Sequence, residues 1–159
     1  MTISVLFVCL GNICRSPLAE AAFRAEAERV GLDTEVDSAG TGDWHVGHPP
    51  DPRAQAVARR NGIDIGHLRA RRVGPDDFHR FDHIVALDLH NLADLRAIRP
   101  ADARARLSLL LDHVPGREGQ PVADPYYGGD DHFDATWREV TEAAAALART
   151  IRGTGEGGA

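Results

Sequence analysis

Lysine is missing altogether: all 18 basic residues of this 159-residue chain are arginine, a bias we assign to the coding genome and not to chemistry. Cysteine is almost missing. The two present, Cys9 and Cys14, stand in one short stretch, which excludes a disulfide scaffold and points to a reduced cytoplasm. No apolar run approaches the length of a membrane span. The short run at 3–10 has no basic leader, so no secretory signal is expected. An excess of positive charge is lacking too. The formal net charge of −6 argues against a general role on nucleic acid or a membrane surface. Arg69, Arg71 and Arg72 cluster, but such a cluster reads first as a solvated face. Internal repeats and a second domain are absent. With 43% hydrophobic and 26% charged residues, the chain suits one soluble domain with a real core.

What is present is organised around residues 5–17. An apolar run from Val5 to Val8 delivers Cys9 to a short loop, which ends where a helix can begin. Pro17 suits the first helical position and Ser16 its N-cap. Gly11 and Asn12 both tolerate positive φ, so the loop can curl until successive backbone N–H groups face one centre. Such a nest, closed by a helix N-terminus, cradles an anion. Arg15 can clamp two phosphate oxygens with its fork of donors. Cys9 then sits at the floor, where the field that attracts phosphate favours thiolate over thiol. Alone, Cys9 would read as a small core hydrophobe. Spacing, strand and helix start together make it a nucleophile for phosphoryl transfer.

Strands are expected at 3–9, 34–37, 81–87 and 107–111, and helices at 16–30, 52–61, 88–98 and 131–152. Their alternation predicts a doubly wound α/β three-layer sandwich: a four-stranded parallel sheet flanked by helices, with the phosphate-binding loop after strand 1. Gly31 and Gly62 are placed to stop the first two helices. In the third, Leu92, Leu95 and Ile98 are expected to point inward. In the last, Phe133, Trp137, Val140, Ala144, Leu147 and Ile151 form one stripe, which makes Trp137 core and not a ligand contact. The domain is drawn over 1–152, followed by a glycine-rich tail at 153–159 expected to be flexible. The loop at 39–52 carries Trp44, His45 and His48. Trp44 reads either as local packing or as the wall of a substrate cleft, since the loop follows a strand whose C-terminal end should face the site. Neither a cysteine nor a carboxylate completes a metal-ligand spacing with the two histidines, so no metal is expected.

Residues 9–17 resemble the phosphate-binding loop of the low-molecular-weight protein tyrosine phosphatases of bacterial type, whose pattern is Cys-x(5)-Arg-Ser. The resemblance continues in Ser38-Ala39-Gly40-Thr41, in Ala86-Leu87-Asp88 and in Asp124-Pro125-Tyr126-Tyr127-Gly128-Gly129, in the family's order and over nearly the whole chain. It implies hydrolysis of phosphotyrosine through a cysteinyl-phosphate. Cys9 is the nucleophile, and the loop of Leu10, Gly11, Asn12, Ile13, Cys14, Arg15 and Ser16 holds the phosphoryl group. Asp124 is the implied proton donor and later the base for water, aimed by the extended backbone that Pro125 enforces. Ser16 can hydrogen-bond the thiolate and improve its leaving ability. Tyr126 and Tyr127, the only tyrosines, offer aromatic faces at the cleft rim to an aryl phosphate, and by resemblance are candidate phosphorylation sites. Cys14 is the implied redox partner, whose reversible disulfide with Cys9 would spare the nucleophile from higher oxidation. For support of Asn12 the family offers a histidine, here His67, with Leu68-Arg69 leaving the register open by one residue.

No cofactor is implied, since arginine and backbone donors take the place of a metal. The implied partners are a tyrosine-phosphorylated protein as substrate and inorganic phosphate as product and competitive ligand, acting on a cytoplasmic monomer. Three alternatives share the fold. Thioredoxin-coupled arsenate reductases need further cysteines downstream, and none follows Cys14. Protein arginine phosphatases carry threonine at the position of Ile13, and phenylalanine with glycine after the Asp-Pro, so Ile13 and the tyrosine pair favour phosphotyrosine. A non-catalytic phosphotyrosine-binding module would lack Cys9 or Asp124.

Overall fold

All seven residues of strand β1 (Ile3–Cys9) are buried, in a computed structural model that describes residues 1–153. The run shows no polar alternation because both faces of the strand are covered. After it come α1 (Arg15–Val30), β2 (Thr34–Gly40), α2 (Pro52–Arg60), α3 (Asp77–Arg80), β3 (His83–Ala86), α4 (Leu89–Ile98), β4 (Arg106–Leu109), a 3₁₀ turn (Leu110–His113) and α5 (Asp130–Gly153). The four strands are parallel, in the order β2-β1-β3-β4. The chain steps from β1 to one side, then crosses over to add β3 and β4 on the other. The winding therefore reverses at β1, and the crevice beyond its C-terminal end is where such sheets take a ligand.

Successive residues of β1 feed two cores. Val5, Phe7 and Cys9 pack with Leu18 and Phe23 of α1, Val57 of α2, and Phe133, Val140 and Leu147 of α5. Leu6 and Val8 pack with Phe78, Phe81, Leu92, Leu95 and Leu109 on the opposite face. Each fully buried Phe or Leu contributes about 1.5–3 kcal/mol relative to exposure. The result is the three-layer sandwich that the alternation of elements predicts.

Boundaries differ where pairing or packing overrides local pattern. β2 runs on to Gly40, because Ser38, Ala39 and Gly40 keep pairing with Phe7, Val8 and Cys9. β3 and β4 are shorter than expected, and residues 110–113 coil into the 3₁₀ turn. The four-residue α3 has too few positions to show a helical period. Leu92 and Leu95 are buried as expected, but Ile98 is 38% exposed. It is the last residue of α4, where the chain leaves the sheet for an extended Arg99. Gly31, at φ +76, ends α1 as its position suggests. Of the tail expected at 153–159, Gly153 belongs to α5, and the rest lies outside the described residues. Among the described residues no helix is long and apolar enough to cross a membrane.

Candidate active site

Helix α1 begins one residue earlier than its sequence suggests, and this changes what Ser16 does. Cys14 is the N-cap and makes no side-chain capping bond. Pro17 is tolerated inside the first turn, where backbone N–H groups have no intrahelical acceptor in any case. Ser16 is fully buried and places its hydroxyl 3.0 Å from the sulfur of Cys9.

Asn12 turns the loop. It alone among the non-glycine residues described has positive φ, at +57, and Gly11 does not share that conformation. The left-handed backbone is offset by three bonds. The Asn12 Nδ2 donates to Ser16 Oγ at 2.8 Å and to Ser38 Oγ at 3.0 Å, and its Oδ1 accepts from the Arg71 N–H at 3.0 Å. The Arg71 N–H thus fixes the amide's orientation. Both hydroxyls accept from that amide, so each has one proton to give. Ser38 donates its own to Glu20 Oε1 at 2.7 Å, which leaves the Ser16 proton for Cys9. Burial pushes the Glu20 carboxyl above its ordinary range, against the pull of Ser38 and Arg24. His67, the family's candidate for holding Asn12, instead borders a separate groove with Glu20 and Arg24. The backbone at Arg71 does that work because it runs beside Gly40: the Arg71 carbonyl accepts the Gly40 N–H, and the Gly40 carbonyl accepts the Val73 N–H.

The loop's carbonyls are turned into the protein. Those of Cys9, Leu10, Ile13 and Cys14 accept from the N–H groups of Thr41, Gly42, Asp51 and Leu18. Among the described residues no backbone acceptor takes up the N–H groups of Gly11 to Cys14. Gly11 has a different role from the turn expected of it: a Cβ there would stand 3.0 Å from Cδ2 of His45.

Arg15 is 3% exposed, and its Nη1 donates to Asp88 Oδ2 at 2.7 Å and to the Val122 carbonyl at 2.9 Å. Its Nη2 lies 3.6 Å from Oδ2 of Asp124. Burial opposes the charge on Arg15, but Cys9, Asp88 and Asp124 outweigh it and raise its pKa further. Asp88 is the N-cap of α4, accepting from the Asn91 N–H, so one carboxylate both starts a helix and orients the arginine. Asp124 stands half-exposed at the mouth, its Oδ1 accepting from the Tyr126 N–H at 3.1 Å.

Cys9, Arg15 and Asp124 line one cavity of about 300 Å³, together with Trp44, Tyr126 and Tyr127. Leu10, Gly11, Ile13 and Cys14 complete its loop wall, while Asn12 and Ser16 are buried behind it. Trp44 and Tyr127 are exposed rim residues, and the two tyrosine rings meet edge to face with centroids 5.0 Å apart. His45 also faces the cavity, its ring 6.5 Å from that of Tyr126. Both cysteines are free thiols. Burial, then the Asp51 carboxylate and Cys9, push the Cys14 thiol far above its ordinary pKa. Trp137 packs against the core and does not line the cavity.

Sequence reasoning assigned no role to Asp88, Ser38, Asp51 or Arg53. Asp51-Pro52 does carry a helix-start signature, N-cap followed by proline at the first position, and the helix obeys it. Nothing in the sequence pairs Arg53 with the loop 75 residues away.

A parallel sheet that presents a cysteine, a buried arginine and unpaired loop N–H groups at its switch point is an α/β enzyme built to handle an oxyanion. The chain belongs to the low molecular weight phosphotyrosine protein phosphatase family, whose family model matches residues 4–156. A low molecular weight phosphotyrosine protein phosphatase of Schizosaccharomyces pombe is 44% identical over 152 residues, covering 94% of this chain and 97% of the relative. The crystal structure of YfkJ from Bacillus subtilis superposes with a TM-score of 0.89 at 40% identity, covering 97% of each chain. A drosophila arginine phosphatase also shares the fold, with a TM-score of 0.87 at 32% identity over 93% of this chain and 97% of that one.

Proposed function

We propose that the protein is a protein tyrosine phosphatase acting as a cytoplasmic monomer, with one catalytic domain over residues 1–152. Cys9 attacks phosphorus in line, and the bond to the tyrosine oxygen breaks as that to sulfur forms. The guanidinium of Arg15 and the loop N–H groups stabilise the charge on the equatorial oxygens. Asp124 protonates the departing phenoxide, then takes a proton from the water that hydrolyses the cysteinyl-phosphate. Ser16 hydrogen-bonds the sulfur and makes it a better leaving group in this second step. Trp44, Tyr126 and Tyr127 flank the aromatic ring of the substrate. Inorganic phosphate leaves as product and competes for the same cradle.

The observation that carries this reading is the single cavity in which Cys9, Arg15 and Asp124 meet under an aromatic rim. Phosphate release from matched phosphotyrosine, phosphoserine and phosphoarginine peptides, with a chelator present, tests it. Release from phosphotyrosine alone is expected, abolished by Cys9→Ser and strongly slowed by Asp124→Ala. Preference for phosphoarginine would move the chain to the arginine phosphatases. Tight binding without turnover would make it a binding module.

Cys14 is proposed as the redox partner. Mild peroxide should yield an intramolecular Cys9–Cys14 disulfide by mass spectrometry, reversed by thiol reductant. Finding only sulfinic or sulfonic Cys9 would sink the idea.

A further inference from the structure

We propose that Arg53 is the latch that holds the loop of Asp124 over Cys9, and so a positioning residue for proton transfer. The proposal rests on the reading of Asp124 as general acid. Arg53 does not line the cavity. Its Nη1 donates to the Gly128 carbonyl at 2.8 Å and its Nη2 to the Tyr126 carbonyl at 2.9 Å. Its Nε and Nη2 hold the two oxygens of Asp51, each at 3.0 Å. The guanidinium lies over the Phe133 ring, 4.6 Å from its centroid, and 5.6 Å from that of Tyr126. Asp51 in turn donates its N–H to the Ile13 carbonyl at 2.8 Å. One cation therefore ties the acid's loop, the start of α2 and the nucleophile's loop together.

Apart from Arg53, the loop is held by buried Pro125 and by the ion pair of Asp124 Oδ2 with Arg15 Nη2 at 3.6 Å. The Tyr126 N–H to Asp124 bond and the Gly128 N–H to Pro125 carbonyl bond are internal to it. Among the described residues, the only hydrogen bonds between 124–128 and the rest of the protein are the two from Arg53. Segments with so few outside ties lie at the low end of local stability. A carboxyl that must meet a leaving oxygen at hydrogen-bond distance loses efficiency once its loop samples other positions. Releasing the latch removes the guanidinium's bonds to Asp51 but keeps two ties that do not need it, the Asp51 N–H on the Ile13 carbonyl and the Arg53 N–H on Asp51 Oδ1, and these hold the phosphate cradle. Lysine cannot replace it, because a point charge cannot serve two carbonyls and both oxygens of a carboxylate in fixed directions.

The test compares kcat/KM, which reports the first phosphoryl transfer, on a phosphotyrosine peptide and on dinitrophenyl phosphate, whose leaving group needs no proton. The enzymes are wild type, Arg53→Met, Arg53→Lys, Asp124→Ala and the Arg53→Met/Asp124→Ala double variant. Arg53→Met should lose about 10–100-fold on the peptide and less than about threefold on the activated ester, a share of what a general acid supplies. Arg53→Lys should fall with Arg53→Met. On the peptide the double variant should be no slower than Asp124→Ala, because both changes remove the same proton delivery. Equal losses of Arg53→Met on the two esters, or multiplied losses in the double variant, would overturn the latch while leaving the acid intact. A loss in Asp124→Ala that ignores the leaving group would remove the acid reading, and the latch with it. Should Arg53→Met not fold, Arg53→Lys keeps a long side chain and the charge at this position, and carries the same comparison.

Discussion

Arg15 donates from Nη1 to Oδ2 of Asp88 at 2.7 Å, although 73 residues separate them. The other Asp88 oxygen caps α4, so the carboxylate fixes the arginine to the end of β3. In Asp88→Asn the carbonyl oxygen can still cap, which leaves an NH₂ facing the guanidinium, donor against donor. Loss of one charge-assisted bond of about 1.5–3 kcal/mol corresponds to roughly 10–100-fold. The expected outcome is a fall of that order in kcat/KM, with a parallel rise in the inhibition constant for inorganic phosphate. Wild-type values of both would mean that the Val122 carbonyl orients Arg15 alone.

Asn12 combines a left-handed backbone with three side-chain bonds, and two substitutions separate these roles. Asn12→Gly keeps the backbone at no steric cost and loses the bonds. Asn12→Ala loses both. The alanine variant should be less stable than the glycine variant by about 1–2 kcal/mol in urea unfolding. Both should be poor phosphatases, since Ser16 loses the amide donor that directs its proton to Cys9. Full activity in Asn12→Gly would show that the bonds to Ser16 and Ser38 are idle.

Gly40 lets the end of β2 pass beside the phosphate-binding loop. A Cβ there would stand 2.7 Å from the Leu10 carbonyl oxygen and 3.2 Å from the Asn12 nitrogen. Both atoms are backbone, so Gly40→Ala must push the loop out of shape. We expect a loss of about 1–3 kcal/mol, read as a lower melting temperature, together with a fall in turnover. A variant that melts and turns over like wild type would show that β2 can retreat.

His113, which does not line the cavity, supplies a pH dependence of stability. Its Nε2 lies 3.0 Å from Ser108 Oγ, and burial lowers its pKa, with His83 adding to the effect and Asp112 opposing it. A base whose native pKa is depressed takes up a proton on unfolding. Its share of stability is present above about pH 6.5 and is lost as pH falls through that value toward the lower native one. His113→Gln removes this proton uptake. Urea midpoints at about pH 7.5 and about pH 5.5 should fall more steeply for wild type than for the variant. Parallel changes would contradict the assignment.

Much of this molecule is legible from short range. The apolar run of β1, the alternation of strands with helices, Gly31 after α1 and Asp51-Pro52 before α2 each act on residues a few positions away, and each appears where the sequence puts it. The one inward residue misplaced, Ile98, sits at a helix end, where periodicity says nothing about whether the sheet still lies beneath. Cys9, Arg15 and Asp124, which line one cavity, could be named as candidates because their spacing and neighbours form a pattern shared with the family.

Sequence alone determined the fold class and named the candidate groups of the site, because strand, helix and turn preferences and the cysteine-to-arginine spacing are local properties of the chain. Tertiary structure decided how those groups are held. Asn12 finds Ser38 and the Arg71 N–H at separations of 26 and 59 residues, and Arg15 finds Asp88 and Val122 at 73 and 107. Closing the sheet at its switch point brings these partners to one place. A buried donor or acceptor must then bond with whatever the packing sets beside it, and no local pattern records that choice.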